Sequence, residues 1–372
     1  YVQRAMNKDT AFGFKDISKR IEKKADEVFI NTINGLHDLD DLNVRFKVIH
    51  SLTAEELYYL VVSTDGTMYT SSYVKGVYPL MMKKINNRAD SLLMSVLFDK
   101  YRKFIKVAAG YNTLSNFLAF FPAEGDAKKL MKAFVGNLER SVSEEDGVDV
   151  ADSYASIMET NKPLANEMLK LVKANYDRNL NDNNRRGVLT YNLLYKLFLS
   201  ADSINKIDLT AEFGIPSVYG LTNKDLQNDS SRIIMQVFFY GDKDGQGIFN
   251  GFLNMFNPAV WKKDLSNDQW VSIKSISGTP VSIYANRALP EEGGLDEKAQ
   301  QALGEFLKKN KLNPSVTIHR GHSYFANSTI VQMASTSKIV FMGSCGGYHL
   351  LHDIYKISPD AHIIASKKIG KT

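Results

Sequence analysis

Two side chains near the C-terminal end of the chain are of types that together perform nucleophilic chemistry. Cys345 is the single cysteine among the 372 residues, and it stands in the glycine-rich run Gly343-Ser344-Cys345-Gly346-Gly347. His322 lies 23 residues earlier. A thiol becomes a strong nucleophile when an imidazole takes its proton, and neighbouring glycines let a substrate backbone approach closely. The pair predicts a cysteine nucleophile served by a histidine.

Each of these residues follows a short apolar run that has the length of a β-strand. Residues 315–319 precede the turn that contains His322, and residues 338–342 precede the turn that contains Cys345. Ligands bind at the carboxyl ends of strands in parallel sheets, and neighbouring strands lie about 4.8 Å apart. If the two strands are neighbours, His322 and Cys345 emerge side by side.

The C-terminal part of the chain alternates between such apolar runs and helical segments. Strands are predicted at residues 233–240, 281–284, 316–318, 339–342 and 363–365, and helices at residues 248–256, 296–312, 327–334 and 348–357. This alternation favours a right-handed, mostly parallel sheet with helices on both faces.

The N-terminal part is helical from Phe12 to about Ser203. Thr53 and Glu56 have the spacing of a capping box, and apolar residues recur at helical steps in residues 90–109, 130–138, 155–172 and 188–199. The pattern changes after a polar, turn-rich stretch at residues 221–230. We therefore predict an all-α domain at residues 1–222, followed by an α/β domain at residues 223–372.

Composition limits the classes of function. The net charge is only +5, and basic residues are interleaved with acidic ones, as at residues 19–26, so nucleic-acid binding is not expected. No run of 18 apolar residues predicts a transmembrane segment. The chain opens at Tyr1 without an initiator methionine or a signal peptide, so we expect that an upstream segment has been removed, and an exported protein is compatible with this.

The two motifs resemble those of the clan CD cysteine peptidases, the group of caspases, legumain, gingipains and separase. These enzymes carry one hydrophobic strand that ends in His-Gly and a second that ends in Ala-Cys or Ser-Cys. Ser344-Cys345 matches the second motif. The first motif departs from the pattern, because His322 is preceded by Gly321 and followed by Ser323 rather than by glycine.

The resemblance runs from about Arg232 to the end of the chain, where residues 359–366 are similar to the strand after the nucleophile in related bacterial domains. It implies a caspase-like α/β fold and a cysteine endopeptidase that cleaves a peptide or protein substrate. No metal or organic cofactor is implied. Cys345 would attack the carbonyl, and His322 would protonate the leaving amine.

The resemblance also implies that backbone amides bind the oxyanion, here those of Cys345 and of Ser323, with Gly321 and Gly346 as further candidates. His319 competes with His322 for the role of the base. It lies on the strand itself, so its side chain is expected to point away from the site.

Charged residues in two other loops are candidates for a specificity pocket. Asp242 and Asp244 follow the first predicted strand and have the spacing of a calcium loop, but Leu253 occupies the twelfth position, where an EF-hand has a glutamate. We expect this loop to border the cleft instead. Arg287 follows the second predicted strand.

Two alternatives remain open. Residues 343–347 also fit G-x-C-x-G, the nucleophile elbow of some hydrolases and amidotransferases, although His349, His352 and His362 lie too close after Cys345 to serve such a site. The other alternative is an inactive caspase-like scaffold, with the helical part as a binding module. Fast alkylation of Cys345 would distinguish a reactive thiol from a buried structural one.

Overall fold

The computed structural model of the chain describes residues 14–64, 66–201 and 207–369. The chain divides between Gly214 and Ile215 into two compact units. Our predicted boundary lies a little later in the sequence. The difference has a local cause, because the segment after Ile215 packs with the α/β unit: the backbone carbonyl of Ser217 lies 3.0 Å from Nε2 of His362.

The N-terminal unit is built of helices, and its described residues contain no strand. The helices are α1 (Phe14–Lys24), α2 (Asn31–Gly35), α3 (Leu42–Arg45), α4 (Ala54–Ser63), α5 (Thr70–Ser72), α6 (Tyr78–Lys84), α7 (Ala89–Ser95), α8 (Tyr101–Gly110), α9 (Leu114–Ala119), α10 (Glu124–Val135), α11 (Glu145–Met158), α12 (Lys162–Asn181), α13 (Arg185–Ser200) and α14 (Leu209–Phe213). The predicted capping box is confirmed at the start of α4. The Thr53 hydroxyl accepts from the Glu56 amide at 3.2 Å, and the Glu56 carboxylate accepts from the Thr53 amide at 2.8 Å.

Three of the predicted helical segments are wrong as single helices. Residues 130–138 run past the end of α10 at Val135, because Gly136 is extended and Asn137 has a φ of +60°. Residues 90–109 form α7 and α8, because Leu97, Phe98 and Lys100 between them take positive φ angles that no helix contains. Residues 155–172 run from the end of α11 into α12, which has Asn161 as its N-cap. The predicted ends of the helical region, Phe12 and Ser203, lie outside the described residues.

The C-terminal unit contains a seven-stranded, mostly parallel sheet in the order β2-β3-β4-β1-β5-β6-β7. The strands are β1 (Ile233–Phe239), β2 (Trp261–Asp264), β3 (Trp270–Ser275), β4 (Val281–Asn286), β5 (Val316–Arg320), β6 (Ile339–Gly343) and β7 (His362–Ile364). Strand β1 pairs in parallel with β4 and β5, β5 with β6, and β6 with β7, whereas β3 pairs antiparallel with β2 and β4.

All five predicted strands are present, and the expected adjacency of the strands before His322 and Cys345 is confirmed as the β5–β6 pair. The hairpin β2–β3 was not predicted. Its outer strand reads Trp261-Lys262-Lys263-Asp264, and such charged sequences are usual at the edges of sheets, where they discourage pairing with another chain.

Helices cover both faces of the sheet, as predicted. They are α15 (Asn223–Leu226), α16 (Gly245–Asn254), α17 (Leu295–Lys309), α18 (Ala326–Gln332) and α19 (Leu351–Ile357). Residues of α16 pack against Val237 and Phe239 on one face. On the other face α17 packs against Ile234, and α18 and α19 pack against Val340 and Met342. None of the helices in the described ranges has the length and apolar character of a membrane span.

Candidate active site

The ends of β5 and β6 bring His322 and Cys345 to the same edge of the sheet. The last residue pair between the two parallel strands is Arg320 with Gly343. His322 and Cys345 each stand two residues beyond that pair, and both line one cavity of about 320 Å³. The expectation that the two side chains leave neighbouring strand ends is therefore met by the register.

The walls of the cavity are mostly apolar. Ile248 comes from α16, Phe341 and Met342 come from β6, and Ile364 and Ala365 come from the end of β7 and the residue after it. Arg320 adds a cation, since it also lines the cavity. A cavity with apolar walls and a few converging polar groups is the usual form of a ligand site. Cys345 is half-buried and is one of the residues that line the cavity.

The imidazole of His322 lies close to two carboxylates. Its Nε2 lies 3.2 Å from Oδ2 of Asp242 and 3.9 Å from Oδ2 of Asp244. The Asp242 side chain is 12% exposed, whereas that of Asp244 is 50% exposed. Asp242 is thus the closer and better shielded partner. We predict a specificity pocket shaped by these two acids, but neither of them is among the residues that line this cavity.

Burial governs the protonation of Asp242. It raises the pKa of this carboxyl above its usual value, an effect that His322 opposes and that Asp244 reinforces. A carboxylate that faces one ring nitrogen of a histidine selects the tautomer with the proton on that nitrogen. The ring plane of His322 is also supported by Tyr324, whose ring stacks on it at 5.2 Å. Both contacts restrict the orientation of the imidazole.

The turn after Cys345 is held by the segment that follows β7. Gly346 has a φ of +61°, in the left-handed region that glycine adopts without strain. Its amide donates to the carbonyl of Lys368 at 3.2 Å, and the amide of Tyr348 donates to the carbonyl of Ser366 at 3.2 Å. Because the Gly346 amide already has an acceptor, it is a weaker candidate for oxyanion binding than we had predicted.

The other predicted oxyanion residues lie on the turn after β5. Gly321 lines the cavity next to His322, and Ser323 begins a short helical turn, Ser323–Phe325. Gly321 also packs directly on a ring, because a Cβ at this position would lie 2.4 Å from Cδ2 of Tyr240. The turn is therefore constrained at the residue before the histidine, and a larger side chain there would displace it.

His319 points to the face of the sheet that α18 covers. Its side chain is fully buried, and Nδ1 lies 2.8 Å from Oγ1 of Thr329 on α18. Burial lowers the pKa of His319 to about 4, against the opposing effect of its hydrogen bonds to the His322 and Gly321 backbone, so the ring is neutral near pH 7. His319 is not among the residues that line the cavity, which leaves His322 as the histidine of this site.

Arg287 lies outside the cavity. It follows β4, and its guanidinium donates to two backbone carbonyls of the β2–β3 turn, those of Asn267 at 2.9 Å and Leu265 at 2.7 Å. These bonds use the side chain to brace the hairpin. The prediction that Arg287 shapes a pocket is thus not matched by its position, and the cation that does line the cavity is Arg320.

Asp242 is the site residue whose role the sequence did not reveal. It stands at the carboxyl end of β1, and β1 is the neighbour of β5, so the same rule of strand ends would have found its place had the strand order been known.

Within residues 14–64, 66–201 and 207–369, no group of three or more histidine, cysteine, aspartate or glutamate side chains is arranged to hold a metal ion. Comparison of the chain with protein families, curated proteins and solved structures finds no match.

Proposed function

We propose that the C-terminal unit is a caspase-like cysteine peptidase in which Cys345 and His322 cleave peptide bonds. One observation carries the proposal. His322 and Cys345 line the same cavity from equivalent positions beyond two neighbouring parallel strands, and the Asp242 carboxylate lies 3.2 Å from Nε2 of the imidazole. A nucleophile, a base and a group that orients the base are the three parts that covalent catalysis requires.

The proposed reaction uses each part in turn. His322 takes the thiol proton, and the Cys345 sulfur attacks the carbonyl carbon of the scissile bond. His322 then gives the proton to the leaving amine as the C–N bond breaks, which leaves a thioester on Cys345. Water, deprotonated by His322, attacks the thioester, releases the new carboxyl group and regenerates the thiol. Asp242 stabilises the imidazolium that forms in each half of the reaction.

Backbone amides are the proposed hydrogen-bond donors to the oxyanion that forms during the attack. The Ser323 amide is the proposed donor from the β5 side, and on the β6 side the Gly346 amide already donates to the carbonyl of Lys368. The Cys345 amide is the proposed donor from the β6 side. One such donor typically contributes 10²- to 10³-fold to the rate of an acyl transfer. The serine at position 323, which stands where the clan CD pattern has glycine, keeps the amide that this role needs.

Two observations disfavour a nucleophile elbow. An elbow places the nucleophile itself on a strained turn, whereas the positive φ in this turn belongs to Gly346 and not to Cys345. The histidine that begins β7 is also engaged elsewhere, since Nε2 of His362 lies 3.0 Å from the Ser217 carbonyl. The hydrolase and amidotransferase alternatives would need a different histidine partner for the thiol.

Cleavage of a defined peptide library tests the proposed function. The full chain is incubated with peptides that vary at the residue before the scissile bond, and the products are mapped by mass spectrometry. We expect cleavage by the wild type and by His352→Ala, a control on the exposed side of α19, and none by Cys345→Ala. Equal product formation with and without the thiol, or no cleavage of any peptide, protein or segment of the chain itself, would favour the inactive scaffold.

A further inference from the structure

We propose that His319 is a positioning residue that acts through a buried chain of three side chains, Tyr240, Thr329 and His319, here termed the His319 network. The network holds the turn at residues 321–325, from which His322 reaches the cavity. Its importance for catalysis rests on the proposed function, whereas its hold on the turn can be measured independently. Four parts of the unit contribute, since Tyr240 directly follows β1, His319 lies on β5, Thr329 lies on α18, and the turn joins β5 to α18.

The partners of the His319 ring assign its proton. Nε2 lies 3.2 Å from the carbonyl oxygen of Gly321 and 3.2 Å from that of His322. Carbonyl oxygens only accept hydrogen bonds, so Nε2 carries the proton and donates to them. Nδ1 is therefore an acceptor, and the Thr329 hydroxyl, 2.8 Å away, donates to it.

Tyr240 completes the chain of donors. Its hydroxyl lies 2.6 Å from Oγ1 of Thr329, and since the Thr329 proton is directed at His319, Tyr240 is the donor of this pair. The same hydroxyl lies 3.1 Å from the carbonyl of Phe325, at the far end of the turn. Tyr240, Thr329 and His319 are all buried. Water therefore cannot replace a lost partner. The single proton of the Tyr240 hydroxyl is shared between Oγ1 of Thr329 and the Phe325 carbonyl, whereas the two bonds that reach the His319 ring nitrogens have fixed directions.

The ring of Tyr240 supports the turn as well. It stacks on Phe325 with ring centres 4.3 Å apart and an angle of 6°, and Gly321 packs against its edge without room for a Cβ. The turn is thus held by packing on Tyr240 and by hydrogen bonds from His319. Because burial keeps the His319 ring neutral, the donor and acceptor pattern persists near pH 7.

A matched pair of buried threonines tests the network. Thr329→Val removes the hydroxyl that fixes the His319 tautomer. Thr317→Val is the control, because Thr317 is also fully buried, lies on β5 facing the same side as His319, and bonds Ser337 at 2.7 Å outside the network. Hydrogen–deuterium exchange of the full-length variants is followed in peptides that span residues 321–325. We expect exchange there to rise about tenfold or more in Thr329→Val and to stay at the wild-type level in Thr317→Val.

Kinetics on a cleaved peptide add a second readout. A misplaced base should lower kcat by about 10-fold with KM changed less than twofold, because His322 moves protons and need not bind the substrate. His319→Gln should recover most of the rate relative to His319→Leu, since its amide can donate in place of Nε2. If Thr329→Val does not fold, Tyr240→Phe, which keeps the ring, takes its place.

The outcomes separate the inference from the proposed function. Equal exchange at residues 321–325 in the two threonine variants would overturn the inference, even if both variants lose stability. So would an unchanged kcat in a Thr329→Val protein whose turn exchanges faster, since the position of the turn would then not govern catalysis. A wild type that cleaves nothing while Thr329→Val loosens the turn would support the network and contradict the peptidase proposal.

Discussion

Replacing His319 by glutamine should make the α/β unit less sensitive to acid. In the folded state burial holds the pKa of His319 at about 4, whereas an unfolded chain has the ordinary histidine value of about 6.5. Between these two values the unfolded state binds more protons than the folded state. The free energy of unfolding therefore falls as the pH falls from about 6.5 to about 4, and it is unaffected by this group at higher pH.

The size of the effect follows from the two pKa values. One pKa unit corresponds to about 1.4 kcal/mol, so His319 should cost the fold about 2 kcal/mol at pH 5 and about 3 kcal/mol below pH 4. That is a large part of the 5–15 kcal/mol by which domains are typically stable. Glutamine does not titrate, and carboxylates that also respond to pH are the same in both proteins, so their contribution cancels in the comparison.

Tryptophan fluorescence isolates the unit in question. The chain has two tryptophans, Trp261 and Trp270, and both lie in the sheet, on β2 and β3. Denaturant unfolding of the full chain at pH 7.5 and pH 5.0, followed by this signal, gives the stability of the α/β unit alone. We expect the wild type to lose about 2 kcal/mol more than His319→Gln between the two pH values. Equal losses in the two proteins would refute the argument that His319 is buried as a neutral ring.

Further predictions concern the site and the fold. Asp242→Asn should lower kcat at least about 10-fold, because the shielded carboxylate orients His322, whereas the matched Asp244→Asn should change kcat less than twofold; comparable losses would contradict the assignment. Gly241→Ala should destabilise the α/β unit by about 2–4 kcal/mol, since its Cβ would lie 1.7 Å from a backbone oxygen. The control Gly247→Ala in α16, which has open space around it, should be neutral or stabilising. Both variants are measured by the same fluorescence assay. Thr53→Ala should lower the free energy of unfolding of the N-terminal unit by about 1 kcal/mol, measured by denaturant unfolding followed by circular dichroism. An unchanged free energy of unfolding would mean that the capping box does not stabilise this unit.

Much of the site could be predicted from the sequence because strand ends are local features. The apolar runs before His322 and Cys345 are short, β-branched and bounded by glycine, so their strands and the polarity of their ends follow from the sequence itself. A single helix between them makes a parallel crossover, which favours neighbouring strands. The pairing of Arg320 with Gly343 confirms that inference.

The contribution of Asp242 could not be predicted, because it depends on the order of strands that are distant in sequence. Strand β1 lies between β4 and β5, and only this order places its carboxyl end next to His322. The position of Arg287 could not be predicted for a similar reason. The sequence predicts a charged residue near the cleft because Arg287 follows β4. Its guanidinium instead braces the β2–β3 turn, and that hairpin was not visible in the hydrophobic pattern.

The predicted helix at residues 90–109 is wrong because the backbone conformation between α7 and α8 interrupts the periodic pattern. Apolar residues continue at helical spacing through residues 96–98, but Leu97 and Phe98 have positive φ angles. The chain therefore turns between α7 and α8 although Val96 remains buried in the core. Hydrophobic spacing does not report a break in the helix when both sides of the break contribute to one core, and it did not indicate that Leu97 and Phe98 in this break are exposed.

Alkylation of Cys345 is the measurement that tests the central claim most directly, because it needs no knowledge of the substrate. The chain has no other cysteine, so the rate of reaction with iodoacetamide reports this thiol alone. The account predicts that near pH 6.5 the wild type and the His352→Ala control react at least about 10-fold faster than a free cysteine thiol, and that His322→Ala loses this advantage. A wild-type rate no higher than that of the free thiol, or an unchanged rate in His322→Ala, would contradict the claim that His322 activates Cys345.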